Sequence, residues 1–299
     1  MRISSHQFHL NSIKNIQHNT AAFNKASVQL STNERISKPS DDPLGAVMLL
    51  KLESEIESLS QYQSNMDAVN YALGQQEVQL TGIVNQSYSL QELITTAADG
   101  SMGTEQLKAL GQEMRVIFQG MLDLMNAQDG EGRYLFSGSE TNNKPFIQDA
   151  AGDYIYNGDE RVREVAVSPD SSVLTNIIGS DLDPNADFLN AMKDYLDLID
   201  NPPAAGVGNE SRTMINNLSD YLGHITGEIT VIGGTMASMD SLATSNQDIN
   251  TFTTNLRDDI SAVDYPEAYI RMNESMAAYE SSMQVYANVT QLSLFSYIK

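Results

Sequence analysis

Cysteine and tryptophan are absent from the 299 residues, and basic side chains are scarce, 17 against 39 acidic ones. Without cysteine there is no disulfide framework, no thiolate metal site and no thiol nucleophile. A net charge of −22 repels phosphate backbones and anionic lipid surfaces, so binding to either would require a segregated basic patch. The first 40 residues are the one candidate, with Arg2, Lys14, Lys25, Arg35 and Lys38 against Glu34. These cations are well spread and read as solvated helix positions, so no nucleic-acid partner is expected. Long apolar runs are lacking too. The longest, Ala46-Val47-Met48-Leu49-Leu50, falls far short of the roughly 18 residues of a membrane span. The opening Met1-Arg2-Ile3-Ser4-Ser5-His6-Gln7 has no apolar core of the kind a secretory signal needs. The expectation is a chain with no membrane insertion and no cleaved leader. Its length exceeds the roughly 150-residue single-domain norm, which points to two or more domains.

What is present is heptad periodicity. Ile13, Ile16, Thr20, Phe23, Ser27 and Leu30 follow one another at alternating spacings of three and four, the mark of a helical seam. This predicts a helix over residues 11–31. Near the other end Met276, Tyr279, Met283 and Tyr286 repeat the spacing before the ridge drifts to Val289, Leu292 and Phe295. Each stripe is too short to be a secure helix alone, so each needs a partner. Between them, Asp42-Pro43 reads as an N-cap followed by an N1 proline. The stripe Val69, Leu73, Gln76, Leu80, Ile83, Ser87, Leu90, Ile94 runs on to Asp99-Gly100. A second one, Leu107, Leu110, Met114, Ile117, Met121, Leu124, stops at the turn cluster of residues 129–132, and together they predict a helical hairpin. A third long helix is expected over about 210–263, and a short one through Phe188, Leu189, Met192, Leu196 and Ile199 before Pro202-Pro203.

Residues 133–180 have a different texture. Residues 133–136, 154–156 and 162–167 are short aromatic or β-branched runs, the stretch 161–167 alternates like a half-buried strand, and Asn157-Gly158 reads as a hairpin turn. The fold class expected is therefore mainly α, an elongated helical bundle or coiled coil built from both chain ends, with a small β-rich inserted domain. The division expected is a terminal coiled-coil domain (1–42 and 265–299), a helical trunk (43–132 and 181–264) and the β-rich insertion (133–180). Asp41, Asp42 and Pro43 mark the joint between the first two.

No stretch carries the full spacing of a catalytic, nucleotide or metal site. Asp181-Leu182-Asp183-Pro184-Asn185 imitates the start of a calcium loop, but Ala186 and Met192 stand where glycine and glutamate are needed. Gly206-Val207-Gly208 lacks the third glycine of a dinucleotide fingerprint. His6 and His9 share a helical face without further ligands, and the acidic residues are diffuse, with Glu53, Glu55 and Glu57 along one solvent side. The expectation is no enzyme, no metal and no cofactor. A coiled-coil scaffold and an acidic secreted enzyme are the other classes to weigh; the aromatic strands argue against the first and the lack of a convergent site against the second.

Leu30-Ser31-Thr32-Asn33-Glu34-Arg35-Ile36, then Pro39-Ser40-Asp41-Asp42-Pro43, resembles the signature near the N-terminus of the flagellin family. The start Met1-Arg2-Ile3-Ser4, the segment 129–138 and the ending Leu292-Ser293-Leu294-Phe295-Ser296-Tyr297 are similar to the branch of that family found where hook meets filament. The likeness covers roughly 1–145 and 210–299. It departs at Asn33, where the family has glycine, and at Thr235 and Ala237, where polar Arg and Asn are usual; Asn is the next best residue for a left-handed backbone. The resemblance implies an extracellular axial protein of the bacterial flagellum, exported by the flagellar type III system and held beforehand by an export chaperone. It would form a ring with copies of itself between a proximal hook-associated junction protein and flagellin. It also implies that Ile13, Ile16, Thr20, Phe23, Leu30, Met276, Tyr279, Met283, Tyr286, Val289, Leu292 and Phe295 form an assembly interface, with the β insertion facing outward.

Overall fold

The computed structural model describes residues 2–99, 102–204 and 206–295, with side chains between 7 and 290. Long helices dominate: α1 (Arg2–Thr32), α2 (Pro43–Ala97), α3 (Thr104–Met125), α4 (Gly179–Leu182), α5 (Asp187–Asp200), α6 (Gly208–Ser261) and α7 (Tyr265–Phe295). Four short strands, β1 (Phe146–Gln148), β2 (Tyr154–Tyr156), β3 (Glu164–Ser168) and β4 (Ser171–Leu174), lie between α3 and α4. The chain divides into two compact units, residues 1–58 with 248–299, and residues 59–247. No helix among the described residues is long and apolar enough to cross a membrane.

In the unit 59–247, heptad spacing translates directly into burial. Val69, Leu73, Gln76, Leu80, Ile83, Ser87, Leu90 and Ile94 are all buried, as are Leu107, Met114 and Met121 facing them from α3 and Ile225, Ile232 and Met239 from α6. Phe136, Phe146, Tyr154, Val167 and Ile177 belong to the same continuous core, so the strands pack on the helices that flank them in sequence. Buried amides fasten the two. Gln76 Nε2 donates to the Leu135 and Ile177 carbonyls at 2.7 and 3.2 Å, and its Oε1 accepts the Ile177 N–H at 3.0 Å. Asn126 Oδ1 accepts the Phe146 N–H at 2.9 Å.

The β region differs from its sequence reading. β1 pairs with β2 and β3 with β4, both antiparallel, as two separate hairpins. The first turn lies at residues 149–153, where the Asp149 carboxylate accepts the Ala151 and Asp153 N–H groups and Gly152 takes φ +86°. Asn157-Gly158 is therefore no hairpin turn: the Asn157 N–H still pairs with the Pro145 carbonyl at 2.7 Å. Gly158 is needed for space, since a Cβ there would collide with the Tyr156 hydroxyl and sit 2.9 Å from Ser137 Cα. Residues 133–136 form an isolated bridge, Gln128 to Tyr134, rather than a strand, because they fold against the turn that ends α3. Val162 precedes β3, which begins at Glu164.

The calcium-loop look-alike is a helix cap. Asp183 is buried, and its carboxylate accepts the Phe188 and Leu189 N–H groups at 2.9 and 3.0 Å, satisfying buried donors that have no partner within the first turn of α5. Asn185 and Ala186 reach that cap through left-handed φ values of 59° and 57°.

Candidate assembly interface

In the unit 1–58 with 248–299, α1 and α7 run antiparallel side by side. Asn19 Nδ2 donates to Ser282 Oγ at 2.9 Å, the rings of His9 and Tyr286 lie 4.9 Å apart, and a bridge joins Glu34 to Ala262 beyond the helix ends. α1 begins at residue 2, well before the predicted 11, because α7 supplies a partner along this added length.

The seam keeps one of its two columns where the sequence reading put it and shifts towards the preceding residue in the other. Partly or fully buried positions on α1 include Ser12, Ile16, Asn19, Phe23, Ala26 and Leu30, with Ser27 of the predicted stripe beside them; on α7 they include Ala268, Met272, Ser275, Tyr279, Ser282, Tyr286 and Val289. Ile16, Phe23, Leu30, Tyr279, Tyr286 and Val289 thus lie where the heptads put them. Thr20 is half-buried at the edge, while Ile13, Met276 and Met283 stay 40%, 46% and 43% exposed. The side chains of Leu292, Phe295 and His6 lie outside those described. Two adjacent columns both satisfy the heptad, and the structure turns inward the one rich in alanine, serine and asparagine, whose small side chains let the helix axes approach. Hydropathy favours the bulkier column, so Ser12, Asn19, Ala26, Ser275 and Ser282 escaped the reading. Their own unbroken spacing of three and four is the signal that could have found them.

Residues 33–42 form a dense polar joint. Asn33 takes a left-handed φ of 61°, as a residue standing for glycine must. The Arg35 guanidinium reaches Asp42 and the Ile260 carbonyl, each at 3.1 Å, and its backbone N–H donates to the Ser261 carbonyl at 2.7 Å. Asp42 Oδ1 accepts the Gly45 N–H at 2.9 Å, capping α2 one residue before Pro43. That N–H, and then Arg35, hold the Asp42 carboxyl below its ordinary range. Asp41 is held low by its ion pair with Lys25 at 2.8 Å.

Much apolar surface in this unit has no cover. Leu44, Val47, Met48 and Leu50 on α2, Ile249 and Phe252 on α6, and Tyr265, Tyr269 and Ile270 on α7 are exposed. Among the described residues, twice as many exposed large apolar side chains lie here as in 59–247, although that unit is longer. Among the described residues no three His, Asp or Glu side chains are grouped to hold a metal ion.

Residues 3–141, from α1 through the turn after α3, match the bacterial flagellin N-terminal helical region. The chain is 24% identical to flagellar hook-associated protein 3 of Salmonella typhimurium over 99% of both proteins. It is 27% identical to the Escherichia coli protein of the same name over 58% of this chain and 54% of that protein. Among solved structures, one described as a flagellar hook-associated protein from Vibrio parahaemolyticus is similar with a TM-score of 0.69 and 25% identity, covering 74% of this chain and all of that one.

Proposed function

We propose that this protein is a structural axial subunit of the bacterial flagellum, forming the junction layer between hook and filament and assembling through its terminal helices. The observation that carries the reading is the concentration of uncovered apolar surface on the unit made from both chain ends. Isolated soluble proteins seldom leave that much apolar surface in one region without a partner. The similarity to hook-associated protein 3 across 99% of both chains supports the place in the flagellum.

The functional division follows: residues 1–42 and 265–299 assemble, 43–132 and 181–264 form the trunk, 133–180 face outward, and Asp41, Asp42 and Pro43 join the first two parts. Partners are further copies of the chain in a ring, the proximal hook-associated junction protein on one side, flagellin on the other, and an export chaperone before secretion. A cysteine-free chain suits unfolded passage through a type III channel to the cell exterior. Deleting the gene in its motile host tests the role. Hooks without filaments, and flagellin released into the medium, are expected; filaments that persist on the deletion strain would refute it.

A further inference from the structure

α7 carries two heptad stripes. One, Met272, Ser275, Tyr279, Ser282, Tyr286 and Val289, is used against α1. The other, Tyr269, Met276 and Met283, repeats every seven residues and is exposed. On the flank where Met276 emerges, α1 and α7 leave an open groove of about 350 Å³ lined by Thr20, Phe23, Asn24, Met276, Tyr279 and Glu280. Its walls are aromatic and thioether, and its rim carries one anion. Glu280 has no ion pair among the described residues.

The complement is on the same chain. α1 holds Arg2, Lys14 and Lys25 and no carboxylate. Lys25 is paired with Asp41, whereas Lys14 has no ion pair among the described residues. Leu10, Ile13 and Lys14 share one helical face by their spacing, and all three are exposed. Two apolar side chains beside one cation match an apolar groove beside one anion. The helix that presents this face also builds the groove wall through Thr20 and Phe23, so it cannot fold back to fill the groove itself.

Building on the assembly reading above, we propose that the groove between α1 and α7 receives the Leu10-Ile13-Lys14 face of α1 from a second copy of this chain, with Lys14 paired to Glu280. Donor and acceptor are different surfaces, so the contact is head-to-tail and propagates into a ring or a helical series rather than closing as a twofold dimer.

Charge reversal in the deletion strain tests this. Glu280→Lys alone and Lys14→Glu alone each lower the fraction of hooks bearing filaments by about tenfold, the effect of one lost contact of about 1.4 kcal/mol, and the double variant restores it. Both sites are exposed, so circular dichroism of the purified variants should show unchanged helicity. Because the chain has no cysteine, L10C and M276C expressed together on separate copies give a disulfide-linked dimer in sheared flagella. Single variants that build filaments normally, a double variant that fails to restore them, or L10C and M276C chains that stay monomeric would overturn the contact alone. A deletion strain that keeps its filaments overturns the assembly reading and this contact with it.

Discussion

Asp183 shows how one carboxylate links a turn, a helix and pH. Burial pushes its pKa up to about 6 from an ordinary 3.8, against the two backbone N–H groups it accepts; nearby Asp187 raises it further and His224 opposes. The folded chain therefore binds this proton more tightly than the unfolded one. The contribution is full below about pH 4 and is lost as pH rises through about 6. The expected result for Asp183→Asn is a flatter dependence of melting temperature on pH between 4 and 6 than the parent shows, checked by calorimetry at matched salt. Parallel curves would mean that this carboxyl does not titrate there. Gln76 makes the second residue-scale case. Gln76→Leu keeps the volume but strips the Ile177 N–H and two carbonyls of their partner, for a loss of about 1 to 3 kcal/mol. Chemical denaturation should show that loss in a single transition, because helix and strands share one core.

At the scale of elements, two glycines frame the β1–β2 hairpin. The Tyr156 ring lies so near Gly158 and Gly179 that a Cβ on the latter would sit 2.5 Å from its Cε2 and 3.0 Å from Phe146. Gly179→Ala is expected to destabilise by about 1 to 3 kcal/mol, the usual effect of overfilling a packed site. Gly130→Ala, whose Cβ would meet nothing within 4 Å, is the control and should melt close to the parent. At the start of α2, Asp42→Ala removes both the cap on Gly45 and the pair with Arg35. A lower melting temperature is expected, with most of the difference lost in Asp42→Asn, which keeps the cap. Equal losses from both substitutions would show that the ion pair, not the cap, carries the effect.

For the whole molecule, the prediction is that assembly and the 59–247 core can be separated by mutation. Phe23 and Tyr279 are half-buried in the seam and line the groove between α1 and α7. Placing aspartate at both puts unpaired charge in that seam, which is costly to bury. The variant should be secreted but build no filaments. Its tyrosine signal from 59–247, followed through Tyr154, Tyr156 and Tyr195, should melt where the parent's does. A large downward shift in that signal would show that the ends support the core.

The sequence alone determined the helical class, the lengths of α2, α3 and α6, every buried position of the stripe on α2 from 69 to 94 and the cap at Asp42. These depend on spacing within one segment and on local backbone chemistry, which a single stretch of residues specifies. It did not determine which of two adjacent columns turns inward on α1 and α7, where the hairpins turn, or that Asp183 caps a helix instead of binding a cation. Those outcomes rest on groups far apart in sequence. Ser282 makes room beside Asn19, Pro145 still pairs with Asn157, and Tyr156 fills the space that Gly158 and Gly179 leave open. Only close packing in three dimensions decides between local alternatives of nearly equal hydropathy.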